Sequence, residues 1–421
     1  MYNIANHYEN IYQYLRTIIA DVRVAYLHPF GSTQPENIEM IRDDSLDHDD
    51  IDEHVSNLKF GNFLPKDDAM LDDYVKLMSQ RRGPLFIFYD QEPIDAHYNY
   101  PLFKYIMDNT RAPYVLVTTE RDSYDRDLIC RELPFAELNY FFHIFAATDW
   151  FRGHEYLPGL VAPADRKLKK SYISFNRITS NKRLYRSLLV NELYKNNLLE
   201  QGYVSYSHVC PDTNESFDVS IQKGVPEYPL SQALKDEVIT NIHQLPDLRI
   251  DFAENEYIPN QSMLLSPMRQ LMESFVFLVT ETCYFQNKTH LTEKIFKPIV
   301  LKMPFILVGC ANNLEYLRGY GFKTFGDFWD ESYDSEFDPI KRLDAIVKIL
   351  KDISNMSTAE QEAMLVKMQP ILEHNYNLFN SPDFVRKEWD YLKEQLELMC
   401  RNYEFKPPYT PNPRLGQAIP C

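Results

Sequence analysis

The sequence predicts an α/β protein of two domains with a helical tail, and three observations carry that expectation. The chain has 421 residues, more than one hydrophobic core usually supports, so two domains of roughly 150 to 200 residues each are expected. Short apolar segments alternate with stretches of helical spacing in both halves, the pattern of parallel strands buried on both faces and joined by helices. The segment LPGLVAPADRKLKK (157–170) breaks the alternation with Pro, Gly and charge, as domain linkers do. The expected organisation is a first α/β domain over 1–165, a second over 166–380, and a helical and Pro-rich tail over 381–421.

The first domain opens on a helix, with apolar residues at helical spacing from Ile4 to Ile19, followed by VRVAYLHPF as a strand. The acidic stretch DDSLDHDDIDEH (43–54) lacks the Gly and the terminal Glu of a calcium loop and reads as solvated. A helix is expected near 68–80, then strands PLFIFYD (84–90) and APYVLVTTE (112–120) with a helix between them, and YFFHIFAATDWF (140–151) as a third strand. In the second domain SYISFN (171–176) is a strand leading into a basic helix. SFVFLVTE (274–281) and PFILVG (304–309) are strands, separated by a helix over about 293–302 and followed by one at 312–321. A long helical stretch over about 340–402 precedes the irregular KPPYTPNPRLGQAIP.

Composition narrows the function classes. The chain is 44% apolar and 14% aromatic, which excludes a disordered protein. Its net charge of -17 argues against a broad footprint on a polyanion, since non-specific nucleic-acid binding comes from Lys and Arg neutralising phosphates. Nucleic acid is therefore not an expected partner. Six cysteines show no CxxC and no zinc spacing, and read as reduced thiols. Neither a signal-like N-terminus nor a window of about 18 apolar residues is present, so no membrane span and a cytoplasmic location are expected.

Eight basic residues fall between 166 and 186. Lys167, Lys169 and Lys170 read as a solvated linker face, whereas Arg177, just past the carboxyl end of a strand, and Arg183 stand where open α/β sheets place their ligands and are candidate anion contacts. In THLTEKIFKPIVLKMPFILVG (289–309), Thr292 is a candidate N-cap. Glu293 and Lys294 then open the helix, where free N–H groups and an ammonium suit a phosphate, and a carboxylate suits two ribose hydroxyls. The alternative, in which Glu293 complements the helix dipole and Lys294 points to water, remains open.

The stretch VTETCYFQNKTHLTEKIFKPIVLKMPFILVG (279–309) resembles the donor-binding region of the α1,3-fucosyltransferases and related inverting glycosyltransferases of the two-domain GT-B type. Glu281 matches the first glutamate of that pattern, Thr292, Glu293 and Lys294 its Thr-Glu-Lys, and Pro304 and Gly309 its Pro and strand-ending Gly. Thr282-Cys283 replaces Asn-Ser and His290-Leu291 replaces Asp-Tyr, which leaves base and sugar open. The resemblance covers roughly 170–335, and 319–334 is similar to related transferases, many of them viral. It implies two Rossmann-like domains facing a cleft, with the acceptor on the first and a nucleotide-sugar donor on the second. It further implies that Glu293 holds the ribose, that Lys294 meets the diphosphate and that Arg177 helps neutralise the leaving nucleotide. No DxD-type motif precedes the donor site, so metal independence is expected, with no cofactor beyond the nucleotide-sugar.

Inverting transfer needs a carboxylate to take the acceptor's proton. Asp90 and Glu92, in FYDQEP (88–93) at the end of a strand, are the candidates, with helix capping as their alternative use. His97 and His143 read as structural histidines. The acceptor is expected to be a glycan or small hydroxyl compound approached through HYNYPLFKY (97–105), whose rings could equally serve helix packing. Two rivals remain: a viral nucleic-acid base glycosyltransferase, and a non-catalytic module that binds sugar nucleotides or glycans.

Overall fold

The computed structural model describes residues 7–19, 23–26, 84–109, 113–151, 159–211, 213–250 and 267–402. The acidic stretch 43–54, the helix at 68–80, the Arg pair of SQRRG (79–83) and the Pro-rich end (406–420) lie outside the described residues. The chain divides into two compact units: a central unit, His143–Val385, and an N-terminal unit formed by the described residues of Asn3–Phe142 together with those of Arg386–Cys421.

The N-terminal unit contains α1 (His7–Ile18), β1 (Arg23–Tyr26), β2 (Leu85–Tyr89), α2 (Ala96–Asn109), β3 (Tyr114–Thr118), α3 (Tyr124–Glu132) and β4 (Phe135–Asn139). Its four strands are all parallel, in the order β1-β2-β3-β4. The strands β2 (LFIFY) and β3 (YVLVT) are buried at every position, as expected of strands covered on both faces. Leu85, Ile87, Phe103, Ile106, Leu116 and Phe135 belong to one core that joins this sheet to α2.

The segment 140–151 is not a strand. It forms α4 (Phe142–Phe151), and the fourth strand is the preceding FAELN. An unbroken apolar run fits a buried helix and a buried strand equally well, so its period does not discriminate. β4 escapes a search for apolar runs because it is an edge strand: Glu137 on it is partly exposed and pairs with Arg126 of α3 at 2.9 Å.

The central unit carries a second four-stranded parallel sheet built from β5 (Lys170–Asn176), β6 (Gly202–Tyr206), β7 (Ser274–Thr280) and β8 (Phe305–Val308), in the order β6-β5-β7-β8. Strand β6 is also an edge with alternating burial, and the apolar-run reading does not include it. Gly202 on β6 is required by packing, because a Cβ there would lie 2.4 Å from the Tyr172 ring of β5. The helices are α5 (Tyr185–Lys195), α6 (Phe217–Lys223), α7 (Gln232–Ile242), α8 (Met268–Met272), α9 (Phe296–Val300), α10 (Asn313–Gly319), α11 (Pro339–Ser354) and α12 (Thr358–Asn380). The expected C-terminal helical region is present as α11, α12 and α13 (Pro382–Asn402). Asp338 caps α11 with Pro339 at the first helical position, and Ser357 with Glu360 forms a capping box on α12.

Beyond residue 385 the chain belongs to the N-terminal unit. There α13 meets α1 and the end of β4: the Tyr14 hydroxyl donates to Glu397 at 2.5 Å, Trp389 packs edge-on to His7 at 6.1 Å, and Phe141 N–H donates to Glu388 at 2.7 Å. Among the described residues no helix is long and apolar enough to cross a membrane.

Candidate functional site

In the central sheet the chain runs from β5 to β6 on one side and later returns to place β7 on the other side of β5. Strand order therefore reverses between β5 and β7, and the crevice at the carboxyl ends of two such strands is where open α/β sheets bind ligands. Arg177 follows β5 and Glu281 follows β7, so both stand at this switch point.

Glu281 is fully buried. Its carboxylate accepts the Thr292 hydroxyl at 2.6 Å and the Thr292 N–H at 3.3 Å. Burial pushes its pKa up, opposed by Lys294 and by the Thr292 hydroxyl. Its carbonyl accepts the Tyr185 hydroxyl at 2.5 Å and the Arg186 guanidinium at 3.3 Å. Arg186 also donates to Thr280 O and Ile178 O, both at 2.9 Å, and so ties the loop after β5 to the end of β7.

Thr292 is the N-cap expected from the sequence. It accepts Lys294 N–H at 3.3 Å and opens a 3-10 turn, Glu293–Ile295, that leads into α9. Lys294 Nζ donates to Thr292 Oγ1 at 3.1 Å and Thr282 Oγ1 at 3.2 Å, and lies 3.3 Å from Glu293 Oε1. The other Glu293 oxygen is 3.6 Å from His143 Nδ1. The Glu293 and Lys294 side chains are 19% and 26% exposed, enough to meet a ligand while fixed by their neighbours. Burial would raise the Glu293 pKa, but Lys294, His143 and Lys297 together hold it down to about 2. Burial draws Lys297 down to about 8, with Glu293 opposing. His290 is buried, and that burial, with the charges of His143, Lys288, Lys294 and Lys182, keeps its pKa well below the usual imidazole range. Its backbone is pinned by the Asn313 side chain, which bonds both its N–H and its carbonyl at 3.1 Å. Gly309 lets Asn313 approach, since a Cβ there would lie 2.8 Å from the Asn313 amide nitrogen.

Direct contacts thus join Glu281, Thr292, Glu293 and Lys294. Arg177 is exposed, and Arg183 is half-buried in the turn Asn181–Arg183, both on the connection from β5 to α5, whose first turn carries Arg186. Asp90 and Glu92 belong to the N-terminal unit, at the end of β2. Asp90 is fully buried and accepts the Tyr140 hydroxyl, whose oxygen is 2.9 Å from His7 Nε2. Burial draws the His7 imidazole down to about 3, so with the Tyr140 proton given to Asp90, a neutral His7 donates to Tyr140. Glu92 is half-buried. The 97–105 segment lies on α2, and the His97 side chain is outside the described residues.

Sequence reasoning passed over Lys297, His290, Arg186 and the contact of His143 with Glu293. Lys297 had a signal, because it is three residues past Lys294 in the same motif and so on the same side of a helical turn. His143 had none, being 150 residues from Glu293 in sequence. Chemically the site pairs a carboxylate held ionised near neutral pH with several ammonium groups at a sheet switch point. That arrangement suits a ligand with both a diol and a polyanionic group. Among the described residues no three His, Cys, Asp or Glu side chains are grouped as metal ligands would be.

No protein-family model matches the chain, and no curated protein matches it. Among solved structures it is similar to a T4 phage beta-glucosyltransferase described for its substrate binding and proposed catalytic mechanism, at 8% identity over 78% of this chain and 79% of that one, with a TM-score of 0.40.

Proposed function

We propose that the protein is a glycosyltransferase of GT-B type that moves a sugar from a nucleotide-sugar donor to a hydroxyl acceptor in the cytoplasm, with inversion and without a metal ion. The observation that carries this reading is Glu293, held ionised beside Lys294 on a Thr292-capped turn that is anchored to buried Glu281. The resemblance of 279–309 to the fucosyltransferase-like inverting enzymes supports the same assignment. Glu293 accepts hydrogen bonds from the ribose, while Lys294, Arg177 and Arg183 stabilise the negative charge that develops on the leaving diphosphate. Glu92 is the base that takes the acceptor's proton. Asp90 is the second candidate, and its carboxylate is already engaged by Tyr140. The acceptor is a glycan or small hydroxyl compound, which the net charge of -17 favours over nucleic acid.

A thermal-shift series with GDP, UDP, CMP and dTDP tests the donor site. One nucleotide at 100 times its dissociation constant is expected to stabilise the wild type by about 2.7 kcal/mol. Lys294→Ala is expected to lose most of that gain, while its ligand-free form stays folded and melts somewhat below the wild type because Glu293 loses its nearest cation. No shift with any nucleotide would remove the donor-site assignment. Tight, salt-sensitive retention of duplex DNA on a filter would replace the glycan acceptor with a nucleic-acid one.

A further inference from the structure

His290 and His143 form an edge-to-face pair beneath Glu293, with ring centroids 5.6 Å apart and planes at 82°. His143 comes from α4, and its Nδ1 faces Glu293 at 3.6 Å. Both ring nitrogens of His290 are buried without a hydrogen-bond partner. Asn313 fixes its backbone from both sides, so the imidazole is poorly placed to leave when the surrounding charge changes. What can change is its proton.

The charges facing this ring come from each element packed around it. Lys182 contributes from the turn after β5, Lys288 from the loop after β7 and Lys294 from the Thr292-capped turn, while Glu293 lies 3.6 Å from His143. Burial and those cations, with His143, hold the His290 imidazole neutral. A bound diphosphate brings two or more negative charges, of order −2 to −3, among those same lysines, which reverses the field and favours imidazolium.

We propose that a diphosphate binds this site together with a proton, which is taken from solvent and comes to rest on the buried His290 imidazole. The inference rests on the reading of the site as the donor site and adds a linked protonation to it. By linkage, affinity is expected to rise as pH falls, up to about tenfold per pH unit for one proton. The proton added to His290 returns to solvent when the diphosphate leaves, so release is favoured as pH rises. No covalent bond changes.

Calorimetric titration with inorganic pyrophosphate, near neutral pH in two buffers of different ionisation enthalpy, counts the protons exchanged. The His290→Gln variant in the same buffers subtracts the protons that pyrophosphate itself exchanges. The wild type is expected to take up about one proton more than the variant. Equal counts, with pyrophosphate bound in both, would overturn the linked protonation and leave the donor site standing. Absence of pyrophosphate binding by the wild type would overturn both. If His290→Gln does not fold, nitrogen-15 histidine spectra of the wild type decide: on saturation the His290 imidazole is expected to pass from the neutral to the cationic signature, and an unchanged His290 resonance would refute the proposal.

Discussion

The carboxyl ends of the two sheets are built from similar backbone and put to different use. In the N-terminal unit the described strands follow one another in a single direction, β1-β2-β3-β4. The carboxylates that follow β2 and β3 are tied down by local donors: Glu120 accepts Ile94 N–H at 2.6 Å, Asp125 at the start of α3 accepts Ala96 N–H at 3.3 Å and Asp90 accepts the Tyr140 hydroxyl. In the central unit strand order reverses beside β5, and the charged groups there sit near one another with their pKa values displaced, Glu293 to about 2 and Lys297 to about 8. A strand end whose carboxylates accept neighbouring N–H and O–H groups positions the chain, whereas one that crowds ammoniums around an ionised carboxylate holds electrostatic work in reserve for a ligand.

Four measurements would break or sharpen this contrast. The largest effect is expected from Glu92→Gln, at a half-buried carboxylate three residues past β2. It should lower nucleoside-diphosphate release from a sugar nucleotide by about 10² to 10⁴ with nucleotide affinity nearly unchanged. Full activity in both Glu92→Gln and Asp90→Asn would confine the N-terminal strand ends to structural use. Tyr140→Phe comes next, because it leaves the buried Asp90 carboxylate without its hydroxyl donor. A loss of about 2 to 3 kcal/mol in urea unfolding is expected, with nucleotide binding unaffected.

The third measurement concerns acid. The folded pKa of Glu293 is depressed from 4.5 to about 2, so its contribution to stability is complete above pH 4.5 and is lost as pH falls through 2. The stability difference between wild type and Glu293→Gln should be on the order of 2 kcal/mol at neutral pH, allowing for partial exposure, and should shrink across that window. A pH-independent difference would mean that the ionised form is not what the fold prefers. Lys297→Met is expected to have the smallest effect, of opposite sign. The folded pKa of Lys297 is lowered from 10.5 to about 8, so the charged lysine weakens the fold below pH 8, and that deficit vanishes as pH rises through 10.5. The ligand-free variant should melt a few degrees higher at neutral pH, lose that advantage in alkali, and bind pyrophosphate less tightly.

The strands legible in the sequence are mainly those that burial makes uniform. Strands β2, β3, β7 and β8 are buried at every position and stand out as apolar runs. Strands β4 and β6 do not, because each is an edge with partly exposed positions and mixes polar residues into its pattern. The run at 140–151 shows the converse difficulty, since an apolar segment records burial without recording the period that separates helix from strand. At the candidate site, the Thr292 cap was readable because capping is local, a hydroxyl two residues from the N–H it accepts. The Glu293–His143 approach and the crowding of three lysines around His290 were not readable, because they depend on which strand ends the sheet order places side by side.

The membership of α13 bears on how the chain can be made. Residues 386–402 supply Glu388, Trp389 and Glu397 to α1 and to the end of β4, so the N-terminal unit is interrupted in sequence by the whole of the central one. Domains commonly fold in the order in which they are synthesised. Here the unit that begins first on the ribosome is the one that must wait. The central unit has all of His143–Val385 before the helix that completes its predecessor has been translated, and until then the faces of His7 and Tyr14 that α13 covers stay open. A ribosome stalled just after residue 385 would therefore carry one unit with its full sequence and one lacking a wall, and the incomplete one would be the N-terminal unit.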